Sequence, residues 1–346
     1  AMVSIIIPIY NVKQYIDRGL RSVFSQTYQD FEIILSDDGS TDGSYEECLR
    51  WANTDSRVRV VRHENGGAGV ARNYGLELAM GEFVYFFDID DEINKCLLQY
   101  CVHKMNEVEC DFICFGYENV ETTYTSKTIV TFPETIIHSN DELKSLFVEQ
   151  FVLKVNGFPW NKFFRKSFLD KYQLQFESQR IQQDEVFNLK CYQHLERAYL
   201  SPEVMYTYYI YERGNTRSRF IPDRFEIYQS VRSHFEEIKS FWHLHDSRFD
   251  NYLKKRFYSS VLQCLLFNLN HPNCIWSKNE KKAEIKRIMS DELTQEAFRY
   301  ARTECNDFEN KVYQYACRNQ NLWLIEVSAS LFARLHRLMK RLHSFV

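Results

Sequence analysis

Four short apolar runs, each ending in a loop of small or acidic residues, constrain the N-terminal part of this chain most strongly. Val3 to Ile9 is continuous and rich in β-branched side chains, the pattern of a strand buried on both faces. Phe31 to Leu35, Val58 to Val61 and Phe83 to Phe87 repeat it. Segments with helical spacing lie between them. Tyr15, Ile16, Leu20, Val23 and Phe24 follow the first run, Tyr45 to Trp51 the second, and Val70 to Met80 the third. Asn11 stands where it can cap the first of these helices. Strands alternating with helices through brief loops predict an α/β fold, a mostly parallel sheet flanked by helices. In such a sheet ligands bind outside the carboxyl ends of the strands. Tyr10-Asn11, Asp37-Asp38-Gly39, the Gly66-Gly67 loop and Asp88-Ile89-Asp90-Asp91 all occupy such ends. Their placement predicts one site built from four loops.

Beyond residue 110 the pattern is mixed. Asp111 to Tyr117 and Thr122 to Phe132 read as strands, Ser139 to Leu153 as a helix, and Pro159-Trp160-Asn161-Lys162 as the opening of another strand. Gln183 to His194 reads as a helix and Met205 to Tyr211 as an aromatic strand. From about residue 222 strand signals fade, and Phe225 to Phe241 and Tyr252 to Leu269 have helical spacing. The expected organisation is a domain over 1–215, with halves of about 1–110 and 111–215, and an appended helical region over 216–346 packed on it. The length of 346 residues agrees with roughly two domains.

Composition narrows the class. Lys and Arg number 43 against 47 Asp and Glu, a net charge of −4, which argues against a nucleic-acid partner. The 45% hydrophobic and 26% charged fractions exclude disordered and fibrous chains. No apolar run reaches the roughly 18 residues of a spanning helix. The chain enters a strand pattern at once, so no signal peptide is expected, and Ala1 ahead of Met2 reads as a residue added for expression. The ten cysteines contain no C-x-x-C pair. They read as reduced, buried thiols of a cytosolic protein.

The loops carry the chemistry. Asp88 and Asp90, alternate carboxylates at a strand end, can converge on one hard cation such as Mg²⁺ or Mn²⁺, which also bridges to substrate phosphates. In Asp37-Asp38-Gly39-Ser40-Thr41-Asp42, Ser40 or Thr41 is expected as a helix N-cap, while the acids nearest the strand can accept hydrogen bonds from a base or ribose. Gly66-Gly67-Ala68-Gly69 precedes a helix, where backbone approaches a ligand closely and anions are favoured. It matches neither the dinucleotide fingerprint nor a P-loop.

Taken together, SIIIPIYN, Phe24-Ser25-Gln26-Thr27-Tyr28, FEIILSDDGSTDGS, HENGGAGVARNYGLELAMGEF and YFFDIDDE resemble, in order and spacing, the motifs of glycosyltransferase family 2. Trp160-Asn161-Lys162-Phe163-Phe164 and Gln182-Gln183-Asp184-Glu185-Val186-Phe187 are similar to its two downstream motifs. The resemblance covers about residues 2 to 210. It implies the GT-A fold and inverting transfer of a sugar from a nucleotide-diphosphate donor, a UDP-sugar above all, to a glycan or lipid-linked saccharide, as in polysaccharide biosynthesis. By that resemblance Asp38 reads the base or ribose, and Pro8, Tyr10 and Asn11 belong to the donor pocket. Asp88 and Asp90 form the D-x-D pair for Mn²⁺ or Mg²⁺, with Asp90 the more direct ligand. Arg72 assists at the phosphates, Trp160 flanks the acceptor sugar, and Asp184 is the base. Gln183 stands where the family commonly has Glu, which removes a like charge beside Asp184.

At the C-terminus Leu331, Phe332, Leu335, Leu338, Met339, Leu342 and Phe345 recur at helical spacing, with Arg334, Arg337, Lys340 and Arg341 between them. Such a basic amphipathic helix fits the cytoplasmic face of an anionic membrane or packs its stripe on protein. Assembly with further copies of the chain stays open. A nucleotidyltransferase would need a Gly-rich basic signature near the first strand, which SIIIPIYN lacks. A non-catalytic nucleotide binder would not need all four of Asp38, Asp88, Asp90 and Asp184.

Overall fold

The computed structural model describes residues 1–123, 126–211 and 219–343, with side chains to residue 339. Two compact units emerge, Ala1–Glu212 and Arg213–Val346. The first contains strands β1 (Val3–Ile9), β2 (Phe31–Asp37), β3 (Val58–Arg62), β4 (Phe83–Phe86), β5 (Glu92–Ile93), β6 (Phe112–Glu121), β7 (Lys127–Val130), β8 (Thr135–Ile137), β9 (Lys162–Arg165) and β10 (Ala198–Ile210). Its helices are α1 (Lys13–Phe24), α2 (Ser44–Thr54), α3 (Ala68–Leu78), α4 (Leu97–Val108), α5 (Asn140–Leu146), α6 (Lys166–Lys171) and α7 (Gln183–His194).

One sheet runs in the order β3-β2-β1-β4-β9-β6-β10-β5, with β7 on β6 and β8 on β10. Parallel pairing joins β1 to β2 and β4, and β2 to β3. Val3, Ile5, Ile6, Ile7 and Ile9 of β1 are fully buried, as a strand covered on both faces must be. Ile16, Leu20 and Val23 of α1 are equally buried. The second half is mixed: β9 is antiparallel to both β4 and β6, whereas β10 runs parallel to β6. The expected α/β architecture is therefore present, parallel in its first half and mixed in its second.

Register sets the site. Ile9 lies opposite Asp37, and Asp37 opposite Arg62, so the exits of β1, β2 and β3 are level. Two local expectations change. Asn11 does not cap α1: Val12 is the N-cap residue and makes no side-chain cap. Asn11 Oδ1 instead accepts the Thr41 N–H at 2.8 Å, tying the β1 and β2 loops together. Neither Ser40 nor Thr41 caps α2, because Gly43 holds that position with φ 92°. The Ser40 hydroxyl accepts the Asn11 N–H. The expected strand over 122–132 is shorter as β7, and the expected helix to Leu153 is α5 followed by a π-helical turn, Phe147–Val152.

The second unit is helical: α8 (Arg224–Trp242), α9 (Ser247–Leu262), α10 (Lys278–Ser290), α11 (Glu292–Glu304), α12 (Phe308–Arg318) and α13 (Leu322–His343). A π-helical turn, Gln263–Asn268, extends α9. α13 buries Leu322, Ile325, Ala329 and Phe332, and Phe332 packs edge-on against Tyr313 of α12 at 5.2 Å. Trp323, Val327, Leu331, Leu335, Leu338 and Met339 stay exposed. At about 100° per residue they form a second sector of the helix, with exposed Arg334 inside it and exposed Arg337 at its edge. The side chains of Lys340, Arg341, Leu342 and Phe345 lie outside the described residues.

Candidate active site

The Asp88–Asp91 loop continues β4. Ile89 at its centre is buried against Gly19 of α1. A Cβ at position 19 would stand 2.3 Å from the Ile89 carbonyl oxygen, so only glycine lets helix and loop approach this closely. Arg18 and Tyr211 both donate to the Asp90 carbonyl oxygen, and Arg18 also donates to the Tyr211 hydroxyl. Asp91 is fully buried and accepts from the Tyr206 hydroxyl at 2.6 Å and the Tyr209 N–H at 2.9 Å. The loop is thus braced through its backbone and its last acid, which leaves the Asp88 and Asp90 carboxyls to the site. Burial pushes the Asp90 carboxyl up to about 6, and the charge of Asp88 adds to that. Two hard oxygen donors at one strand end suit a divalent cation whose other positions are filled by phosphate and water. Among the described residues no cluster of three or more His, Cys, Asp or Glu side chains could hold an ion by itself.

Arg72, on α3, is 4% exposed. Its Nη2 donates to Asp88 at 3.0 Å, while Nε and Nη1 are buried with no hydrogen-bond partner. Buried guanidinium groups are ordinarily satisfied, so these two donors mark a place for an acceptor. Asp184 lies in the first turn of α7. Burial pushes its carboxyl up to about 6; Arg72 opposes that shift, and Glu185 and Asp88 reinforce it. Arg72 therefore sits in the field of both Asp88 and Asp184. The N-terminus of α3 comes close to the segment before α7, since a Cβ on Gly69 would be 2.6 Å from the Glu177 carbonyl oxygen and 2.8 Å from Gln183 Cγ. Arg180 of that segment donates to Asn65 Oδ1 at 2.6 Å.

Two expected roles do not match the geometry. Asp38 accepts from the Gly66 N–H at 2.7 Å, the Gly67 N–H at 2.9 Å and Asn65 Nδ2 at 3.2 Å, while His63 Nδ1 lies within hydrogen-bond distance of the Glu64 carbonyl oxygen. The Asp38 carboxylate, 3% exposed, is turned to the glycine loop that it organises, and offers little surface to a base or ribose. Trp160 is 1% exposed and lies inside an aromatic stack, parallel to Tyr206 at 4.1 Å and Phe158 at 4.6 Å. It offers no face to a sugar. Phe158 and Tyr208, partly buried members of the same stack, are its outer edge. Pro8 and Tyr10 keep their places at the exit of β1, Tyr10 37% exposed. Arg18, Tyr211 and Arg180 were not legible as site residues, because single basic or aromatic residues outside a motif carry no spacing signal.

The family profile described as Glycosyl transferase family 2 matches residues 4–173. The uncharacterized glycosyltransferase EpsJ of Bacillus subtilis is 31% identical over 216 residues, 60% of each chain. Glycosyltransferase GlyG of Streptococcus pneumoniae is 38% identical over 121 residues, 35% of this chain and 40% of that protein. The chain thus spans about half the length of these curated relatives. Among solved structures, S. aureus TarS 1–349 in complex with UDP-GlcNAc superposes with a TM-score of 0.61 at 20% identity, over 96% of this chain and 92% of that one. Mannosyltransferase PcManGT from Pyrobaculum calidifontis, in complex with GDP-Man and Mn²⁺, gives 0.51 at 17%, over 95% and 86%. The fold is that of these transferases, and the four-loop site lies within the matched motifs and the segment just beyond them: by its sequence this chain belongs to glycosyltransferase family 2.

Proposed function

We propose that the chain transfers a sugar from a nucleotide-diphosphate sugar, of the UDP class, to a saccharide or lipid-linked saccharide hydroxyl with inversion. The observation that carries this reading is Arg72, with one nitrogen on Asp88 and two buried donors unpartnered beside the raised carboxyl of Asp184. An anionic diphosphate would satisfy those donors, and Asp184 would stand on the acceptor side as general base. The first half, about 1–110, binds the donor; the second, to about 215, takes the acceptor. Pro8 and Tyr10 line the base pocket, Asn11 and Asp38 hold its loops, and Phe158 with Tyr208 offers the aromatic edge that Trp160 does not. Asp88 and Asp90 would hold Mn²⁺ or Mg²⁺, which when bound offsets the charge growing on the departing diphosphate. The complexes of TarS with UDP-GlcNAc and of PcManGT with Mn²⁺ support the donor and metal classes.

The exposed sector of α13 fits an anionic lipid surface at the cytoplasmic face. Its apolar side chains are left over after the helix has packed, and the arginines beside them complement negative headgroups. No helix among the described residues is long and apolar enough to cross a membrane. Thermal unfolding against a panel of nucleotide sugars tests the main reading. A matching donor with metal raises Tm through linkage, and chelator removes the shift. No shift with any nucleotide sugar contradicts it.

A further inference from the structure

Lys162 opens β9 opposite Cys114 of β6 and is fully buried. Burying an ammonium costs several kcal/mol unless it is fully hydrogen-bonded. Here Nζ donates to the Asn156 carbonyl oxygen at 2.9 Å, Asn156 Oδ1 at 2.9 Å, Asn161 Oδ1 at 2.7 Å and the Phe158 carbonyl oxygen at 2.5 Å. All four acceptors belong to residues 156–161, so the cation gathers that loop around itself. The protonated form has three N–H groups for these acceptors, and a neutral amine would have two. Burial pulls Lys162 down to about 8, while Cys114, Asp184, Cys191 and Glu185 hold it up. At neutral pH it stays a cation.

The gathered loop is fastened to the helix that carries the candidate base. Asn188 Nδ2, one turn into α7, donates to the Gly157 and Phe158 carbonyl oxygens at 3.0 and 3.1 Å. A Cβ on Gly157 would lie 3.4 Å from Glu185 Cδ, so the loop lies against the first turn. Gln182, at the N-cap of that turn in a left-handed conformation with φ 58°, makes no side-chain cap, and within the turn Asp184 Oδ1 accepts the Glu185 N–H at 2.9 Å.

We propose that Lys162 is a positioning residue for Asp184: through the 156–158 loop and Asn188 it fixes the first turn of α7. The proposal rests on Asp184 being the base. It adds that the Trp-Asn-Lys motif serves the base from the protein interior rather than the sugar from the surface.

The test is turnover beside donor affinity, with the nucleotide sugar that stabilises the protein, for the wild type and two variants whose folding is checked by thermal unfolding. Lys162→Met keeps the length and removes the donors that gather the loop. Asn188→Ala cuts the loop from the helix and leaves Lys162 in place. In both, turnover falls several-fold while donor affinity stays near wild type, because the loop serves the base and not the donor. Wild-type turnover in a folded Lys162→Met or in Asn188→Ala overturns the proposal, as does donor affinity lost as completely as turnover. If Lys162→Met does not fold, Asn188→Ala decides. Full turnover in Asp184→Asn would instead remove the base itself, a distinct failure that overturns both readings.

Discussion

Asp38 holds the glycine loop with both carboxylate oxygens, one on the Gly66 N–H at 2.7 Å and the other on the Gly67 N–H at 2.9 Å. The loop leading into α3 and Arg72 is therefore hung from the exit of β2. Asp38→Ala leaves these part-buried donors unpaired, which costs about 1–3 kcal/mol. Denaturant unfolding should show that loss, and donor affinity should fall with it. Wild-type stability combined with lost nucleotide binding would return Asp38 to the role of base reader.

Gly19 and Ile89 make a second prediction. Gly19→Ala drives a methyl into the Ile89 carbonyl, 2.3 Å away, and must displace either α1 or the acidic loop. A small-to-large change in a tight contact costs about 1–3 kcal/mol. The melting temperature should fall, and turnover should fall further than stability alone explains, because Asp88 and Asp90 move with the loop. An alanine variant with wild-type Tm and turnover would show that the contact does not set the loop.

Much of this could be read from spacing. Continuous β-branched runs such as Val3 to Ile9 announce doubly buried strands, and the loops at their ends fall on one edge because parallel strands must point the same way. Other features depend on partners far along the chain. Asp38 looks like a ligand reader until Asn65, Gly66 and Gly67 are seen to claim it. Trp160 looks like a sugar platform until Tyr206, 46 positions later by the sequence numbering, covers one face. Arg18 is an ordinary helix residue until Tyr211 closes on it. Local periodicity contains none of these pairings.

The raised carboxyl of Asp184 gives a pH prediction. It must be ionised to accept a proton, so turnover should rise through about pH 6 and level above it. Stability runs the other way. A carboxyl raised in the folded state contributes fully below its unfolded value, and that contribution is lost as pH rises through about 6. A pH–turnover profile with its acid limb near 4 would mean that Asp184 is not the titrating base.

The α13 surface predicts binding to vesicles with anionic headgroups, weakening as salt rises. Leu331→Glu with Leu335→Glu removes apolar contact from the exposed sector and spares Ile325, Ala329 and Phe332, which pack inside. The double variant should keep its Tm and lose co-sedimentation with the vesicles. Equal sedimentation by both proteins, or none by the wild type at low salt, contradicts the lipid-docking reading.

In the proposed division of roles, Asp184 does the proton transfer while Arg72, Asp88 and Asp90 hold the donor. The direct measurement is donor affinity and turnover, side by side, for the wild type and Asp184→Asn, with nucleoside diphosphate release as the readout. Asparagine keeps the shape and cannot take the proton. General base catalysis is worth about 10²- to 10⁴-fold, so turnover should drop by that range with donor affinity nearly unchanged. Retained turnover, or donor binding lost as completely as activity, would contradict the assignment.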